Sequence, residues 1–136
     1  MDFLKTLSVA ASGLKAQSGR MRGIAENLAN ADSVADRPGA DPYRRKMASF
    51  VRRFDRELDA HLVELGRIRP DASPFRSKHD PGHPAADARG EVKLPNVSSL
   101  VEGMDMREAQ RSYEANLNLI AATRRMLSRT LEILRV

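Results

Sequence analysis

Residues 106–134 read MREAQRSYEANLNLIAATRRMLSRTLEIL, in which Met106, Tyr113, Ile120, Leu127 and Leu134 occupy every seventh position. Leu117 and Leu131 fall three or four residues from members of that series. An apolar residue at this interval keeps one seam of an α-helix turned toward a neighbouring helix. The same pattern occurs near the start of the chain, where Leu7, Leu14, Met21 and Leu28 repeat every seven residues with Phe3, Ala10, Ile24 and Ala31 as companions. Each end therefore predicts an amphipathic helix that needs a helical partner.

Gln17, Gln110 and Arg124 stand where a self-sufficient coiled coil would place Leu or Ile. Polar residues in such seams lower stability and fix register or partner. A helix of about 30 residues is about 45 Å long, more than a small compact domain requires. Two readings stay open on this ground: a two-helix hairpin closed on its own core, or a stem that packs with copies or relatives of itself.

Composition narrows the class. With 136 residues, 4% aromatic and 30% charged, the chain has little bulk for a wide core. Its 23 Lys and Arg against 18 Asp and Glu give a net charge of +5 and favour an acidic partner or surface. The absence of cysteine excludes disulfides, thiolate metal sites and cysteine nucleophiles. No apolar run approaches the roughly 18 to 20 residues needed to cross a bilayer. The opening Met1-Asp2-Phe3-Leu4-Lys5 is a poor secretory signal, with an acid beside its single Lys and a weak apolar centre. Those residues complete the first heptad series and are expected to remain as helix.

The middle of the chain is different in kind. Asp32-Ser33, Arg37-Pro38-Gly39 and Asp41-Pro42 end the first helix near residue 33, and all seven prolines lie between Pro38 and Pro95. Tyr43–Met47, Val63–Ile68 and Glu91–Leu94 read as short strands with one drier face. Phe50, Phe54, Leu58 and Leu62 recur every four residues, which favours helical turns over a strand, so 51–61 stays ambiguous. Residues 71–90, with Ser73-Pro74-Phe75-Arg76 and Asp80-Pro81-Gly82-His83-Pro84, are too broken by Pro and Gly for regular structure. Ser98 or Ser99 caps the closing helix, with Glu102 in capping-box reach of Ser99 and Gly103 a bend near its start. The expected fold is α+β: helices over 1–33 and 98–136 pairing as one coiled-coil-like stem, and a β-containing, Pro/Gly-rich outer segment over 34–97.

Ala25-Glu26-Asn27-Leu28-Ala29-Asn30 puts two asparagines three apart on one helix face among small alanines, a polar lock beside a packed seam. This stretch resembles the Ala-x-Asn-x-Ala-Asn signature of the axial proteins of the bacterial flagellum, the rod, the hook and their relatives. Asn96-Val97, Asp105-Met106 and Glu108-Ala109-Gln110-Arg111-Ser112-Tyr113-Glu114-Ala115-Asn116 are similar to the closing helix of that family. Pro42-Tyr43-Arg44-Arg45-Lys46, Ser73-Pro74-Phe75-Arg76 and the 80–88 stretch look like its proximal rod members, so the resemblance covers nearly the whole chain.

The resemblance implies a structural subunit of the rod, the drive shaft that crosses the periplasm, and no enzyme, cofactor or metal. It implies export through the flagellar type III apparatus without a cleaved signal. It further implies assembly with copies of itself, with FlgB, FlgF and FlgG, and with the rod adapter FliE, the terminal helices pairing in an inner tube. Leu7, Leu14, Met21, Ile24 and Leu28 are expected to pack with Met106, Tyr113, Leu117, Ile120, Leu127 and Leu131, within or between subunits. Asn27, Asn30 and Asn116 are expected at the helix contacts, and Tyr43, Arg44, Arg45, Lys46, Phe75, Asp80 and His83 at contacts of the outer segment.

Three other classes fit less well. Arg44-Arg45-Lys46, Arg52-Arg53 and Arg124-Arg125 suggest nucleic-acid binding, but Asp55, Glu57 and Asp59 follow the second cluster and no aromatic stacking platform accompanies them. His79, Asp80, His83 and Asp87 offer metal-ligand atoms, yet Pro81, Gly82 and Pro84 break any helix that would align them. Basic residues flank both apolar stripes as in membrane-surface helices, although heptad regularity and interspersed acids favour helix partners.

Overall fold

The computed structural model describes residues 2–135. Met1 and Val136, the outer limits of the two expected helices, lie outside the described residues. In chain order the elements are α1 (Phe3–Ala29), β1 (Lys46–Met47), β2 (Phe50–Asp55), β3 (Ala60–Leu65), β4 (Arg69–Pro70), β5 (Arg76–His79), β6 (Glu91–Leu94) and α2 (Ser99–Leu134). The chain is α+β, with a helix at each end and small antiparallel ladders in the middle.

The acid that weakened the signal-peptide reading has a structural task. Asp2 Oδ1 accepts the Lys5 amide at 3.0 Å and its carbonyl accepts the Thr6 amide at 3.1 Å, which caps α1. α1 ends at Ala29, and a turn follows in which Ser33 Oγ donates to the Asn30 carbonyl at 3.0 Å. At α2 the cap is Ser98, whose carbonyl accepts the Glu102 amide at 2.9 Å and whose Oγ accepts the Val101 amide at 3.5 Å. Glu102 takes no part in a capping box; its carboxylate is directed to Arg45 and Asn27 instead. α2 runs unbroken through Gly103.

Two expectations for the middle segment are corrected, and the reading left open over 51–61 is decided. Residues 51–61 are no helical turn: β2 and β3 pair in antiparallel register, Phe50 with Leu65 and Asp55 with Ala60. Phe50 and Phe54 share a strand face because positions four apart coincide there too, while Leu58 lies in the connecting turn and Leu62 on the partner strand. The turn is held by Asp55 Oδ1, which accepts the Glu57 and Leu58 amides, and by Asp59 at φ 47°. The strands expected over 43–47 and 63–68 contract to β1 and shift to β3. The Pro-broken stretch 71–90 contains β5, which pairs with β6, Arg76 opposite Leu94 and His79 opposite Glu91.

The chain divides into two compact units. One comprises Met1–Met21, Ser49–Arg67 and Arg107–Val136. Its buried residues include Ala10, Ala16, Ala60, Leu62, Ala109 and Thr123. A Cβ at Gly13 would lie 2.8 Å from Asn116 Oδ1, and one at Gly19 would lie 2.7 Å from Leu65 Cδ2. Small residues thus let α1 approach both α2 and the β2–β3 hairpin. The other unit comprises Arg22–Ala48 and Ile68–Met106, with Ile24, Ala31, Ala85, Val92 and Val97 in its core.

In this second unit Gly90 closes the β5–β6 connection at φ 77°, with Pro81 Cγ 2.9 Å from where a Cβ would stand. Gly90→Ala combines a left-handed backbone with that clash. It is expected to cost about 2 kcal/mol or more, read as a lower urea midpoint with an unchanged slope.

Candidate assembly surface

The second unit is organised around a buried side-chain amide. Asn27 is 1% exposed and satisfies all four of its hydrogen-bonding positions. Its Nδ2 donates to the Lys46 carbonyl at 2.9 Å and to Glu102 Oε2 at 3.2 Å, and its Oδ1 accepts from Tyr43 Oη at 2.7 Å and the Lys46 amide at 2.9 Å. Using both backbone groups of Lys46, it acts as a strand would, holding α1 to the chain that enters β1.

Glu102, also 1% exposed, gives its other oxygen to Arg45 Nε. Arg45 reaches Asp71 at 3.3 Å and Asp105 at 3.6 Å as well. The hydrogen bond to Glu102 is the main reason the guanidinium pKa is raised. Asn96 completes the cluster: its Oδ1 accepts the Arg45 amide at 2.8 Å, and its Nδ2 donates to the Asp71 and Ser73 carbonyls. Arg44 donates to the same two carbonyls and stacks 4.1 Å above the Phe75 ring. Burial raises the Tyr43 pKa and keeps its hydroxyl a donor toward Asn27.

The remaining expected site residues divide clearly. Leu7, Leu14, Met21 and Leu28 on α1 and Met106, Tyr113, Ile120 and Leu127 on α2 are half-buried, Ile24 is buried, and Leu117 and Leu131 are exposed. Asn27, expected at the helix contacts, is buried, and its amide bonds Tyr43, Lys46 and Glu102 within the chain. Asn30, in the turn after α1, donates back to the Glu26 carbonyl, and Asn116 donates to the Ser112 carbonyl of α2, each at 2.9 Å. Lys46 pairs with Glu26 at 2.9 Å. Asp80 and His83 build a turn, with the His83 amide donating to the Asp80 carbonyl and His83 Nδ1 accepting the Ala85 amide. The basic run 44–46 is therefore occupied by partners inside the chain rather than presented to a polyanion.

What α2 buries was not in the expected seam. Glu102, Ala109, Asn116 and Thr123 are also seven residues apart, and three of the four are buried while Asn116 is half-buried. Their heptad spacing was the available signal, masked because none is a large apolar residue. The bulky residues lie outward: Leu100 is 76% exposed, Met104 63%, Leu131 55%, Ile133 74% and Leu134 75%. Scattered apolar side chains are ordinary on a surface, but runs of them along one helix mark an interaction surface. The geometry offers docking area and a charge-locked fold. Among the described residues no group of His, Asp and Glu could hold a metal ion, and no helix is long and apolar enough to cross a membrane.

Residues 88–133, covering β6 and nearly all of α2, match the family model for the flagellar basal body rod FlgEFG protein C-terminal region. The chain is 47% identical to the flagellar basal-body rod protein FlgC of Agrobacterium fabrum over 99% of this chain and 98% of that protein. It is 37% identical to FlgC of Yersinia enterocolitica over 98% of each chain, and 38% identical to FlgC of Bacillus subtilis over 98% of this chain and 99% of that one. The class is thus a structural subunit of the flagellar rod, which associates with other basal-body rod components. Within that class the chain belongs to the FlgC family of flagellar basal-body rod proteins.

Asn27→Ala removes partners from both backbone groups of Lys46, from Tyr43 and from Glu102. A loss of about 3 kcal/mol or more in urea unfolding is expected. Asn27→Asp should lose more, since it sets a second carboxylate against Glu102 and cannot donate to the Lys46 carbonyl.

The Asp71 carboxyl is held below the usual carboxylate range, chiefly by the Ser73 amide at 2.8 Å and further by Arg45. A depressed folded-state pKa gives stability that is present above the unfolded-state value and is lost as pH falls through the folded one. Stability should therefore decline below about pH 4, and Asp71→Asn should be weaker at neutral pH with a shallower acid decline, read from urea midpoints across that range.

Proposed function

We propose that this subunit self-assembles through its terminal helices into a helical tube that transmits torque and encloses the export channel. In this reading residues 1–33 and 98–136 form one axial stem, paired as in a coiled coil, and 34–97 form an outer segment. The subunit stands in the periplasmic, proximal part of the rod, beside FlgB, FlgF and FlgG and the adapter FliE. It travels there through the flagellar type III apparatus without a cleaved signal and performs no catalysis.

The observation that carries the reading is the exposure of bulky apolar residues along α2 while small and polar residues face inward. Burying such surface is worth about 25 cal/mol per Å², available only when neighbours cover it. A repeated head-to-tail contact that does not close produces a helical shaft. Leu7, Leu14, Met21, Ile24 and Leu28 with Met106, Tyr113, Leu117, Ile120, Leu127 and Leu131 are the seam residues of this assembly, within or between subunits, and Tyr43–Lys46, Phe75, Asp80 and His83 make the contacts of the outer segment that flanks it.

Deleting the gene and imaging purified basal bodies tests the reading. Bases without distal rod and hook, restored by complementation, are expected, whereas complete flagella on swimming cells would exclude an essential rod role. Leu14→Asp places an unpaired charge in a half-buried seam at a cost of about 3 kcal/mol or more where it stays buried. That variant is expected to be exported yet leave cells non-motile; a normal rod would show the seam to be elsewhere.

A further inference from the structure

β2 is exposed along its whole length save the half-buried Asp55, and among the described residues it pairs with β3 alone. It thus presents a six-residue edge carrying Phe50, Val51 and Phe54, which are 41%, 47% and 48% exposed. Arg52 and Arg53 stand between these apolar residues, Arg53 paired with Glu64 at 2.6 Å; an edge strand left open is a template for uncontrolled pairing, and covering it with a helix is one of the ways proteins manage it. The adjoining turn, residues 55–59, carries the carboxylates of Asp55, Glu57 and Asp59 against the guanidinium of Arg56; Asp59 lies 3.9 Å from Lys5 Nζ and Asp55 accepts two turn amides, which leaves Glu57 the most available of the three.

The end of α2 has the complementary character. Leu119, Met126 and Ile133 repeat at seven residues and are 43%, 40% and 74% exposed. From Leu119 to Ile133 the stripe is about 21 Å long, against about 20 Å for a six-residue strand. Residues 119–135 carry Arg124, Arg125, Arg129 and Arg135 against Glu132 alone. Arg125 and Arg129 are four apart and share the helix face that borders Met126 and Ile133.

We propose that this outer stripe of α2 covers β2 of a second copy of the chain, with Arg125 and Arg129 set against the carboxylates of its β2–β3 turn. Both surfaces belong to the same unit, so the contact is head-to-tail: the helix end of each copy is spent on the hairpin of the next, and the hairpin of each remains free for another. The inference rests on the self-assembly proposed above and specifies the surfaces that carry it.

The chain has no cysteine, so every thiol on it is an introduced one. In cells lacking the native gene, full-length Phe54→Cys and Met126→Cys versions with different tags are co-expressed, and isolated basal bodies are treated with a short bismaleimide. A dimer carrying both tags, absent when either version is expressed alone, is expected. Assembled basal bodies without the mixed dimer, including any in which Met126→Cys links to a different rod component, overturn the docking and leave the rod reading intact. Complete rods in cells with no copy of the gene would overturn the rod reading itself.

Charge reversal supplies a second readout that needs no cross-link. Arg125→Glu with Arg129→Glu alters only exposed side chains and should abolish swimming, and Glu57→Arg in the same chain should restore it in part. Undiminished swimming of the double variant, or no recovery with Glu57→Arg, overturns the assigned charge pairing.

Discussion

The side-chain amide of Asn27 is the constraint on which the second unit depends. A helix and an incoming strand have no ladder to share, since α1 uses its backbone groups internally and β1 is only two residues long. Asn27 supplies the missing ladder from its side chain, meeting both the amide and the carbonyl of Lys46. With these two bonds made, Tyr43 reaches Asn27 Oδ1 and Arg45 is carried to Glu102, Asp71 and Asp105. The carboxylate of Glu102 would be costly to bury alone; here it receives a guanidinium and an amide donor. A buried polar network of this kind is stable only when every member is satisfied, and the short reach of an Asn side chain fixes where α1 must lie.

The first unit uses a different economy of side chains. Ala10, Gly13 and Ala16 on α1 and Ala109, Asn116 and Thr123 on α2 leave little apolar area between helices, so close approach replaces bulk. Large aliphatic groups are thereby left for the outside, in keeping with their exposure on α2.

The two helices were legible because a seven-residue period survives imperfect residues, and Ser98 and the Pro/Gly cluster that follows residue 33 punctuate it; α1 nonetheless ends at Ala29, before that cluster. β6 was legible because Glu91–Leu94 alternates and stops at Pro95. The β2–β3 hairpin was not: its two phenylalanines lie four apart, a spacing that a helix and a strand both honour, and every residue of β2 except Asp55 faces solvent, which erases the usual alternation. β5 was hidden by the prolines around it. The polar cluster was the least readable feature, because residues 27, 43–46, 71, 96 and 102 come together with no fixed spacing to announce them. The asparagine signature singled out Asn27 without its partners, since a motif records that an asparagine is present and not which atoms it meets.

The connection between β5 and β6 has its own closure. Asp87 Oδ1 accepts the Arg89 and Glu91 amides, the Asp87 amide donates to the Glu91 carbonyl, and Asp80 bonds Gly90 across the neck. The Glu91 and Arg89 amides hold the Asp87 carboxyl below the usual carboxylate range, and the whole set anchors both ends of the stretch between Asp80 and Asp87. Register of the two strands is thereby insulated from the length of residues 81–86. Each doubling of such a loop costs only about 0.6 kcal/mol in closure entropy, so what limits inserted residues here is not closure but the buried Ala85, which must keep its place in the core.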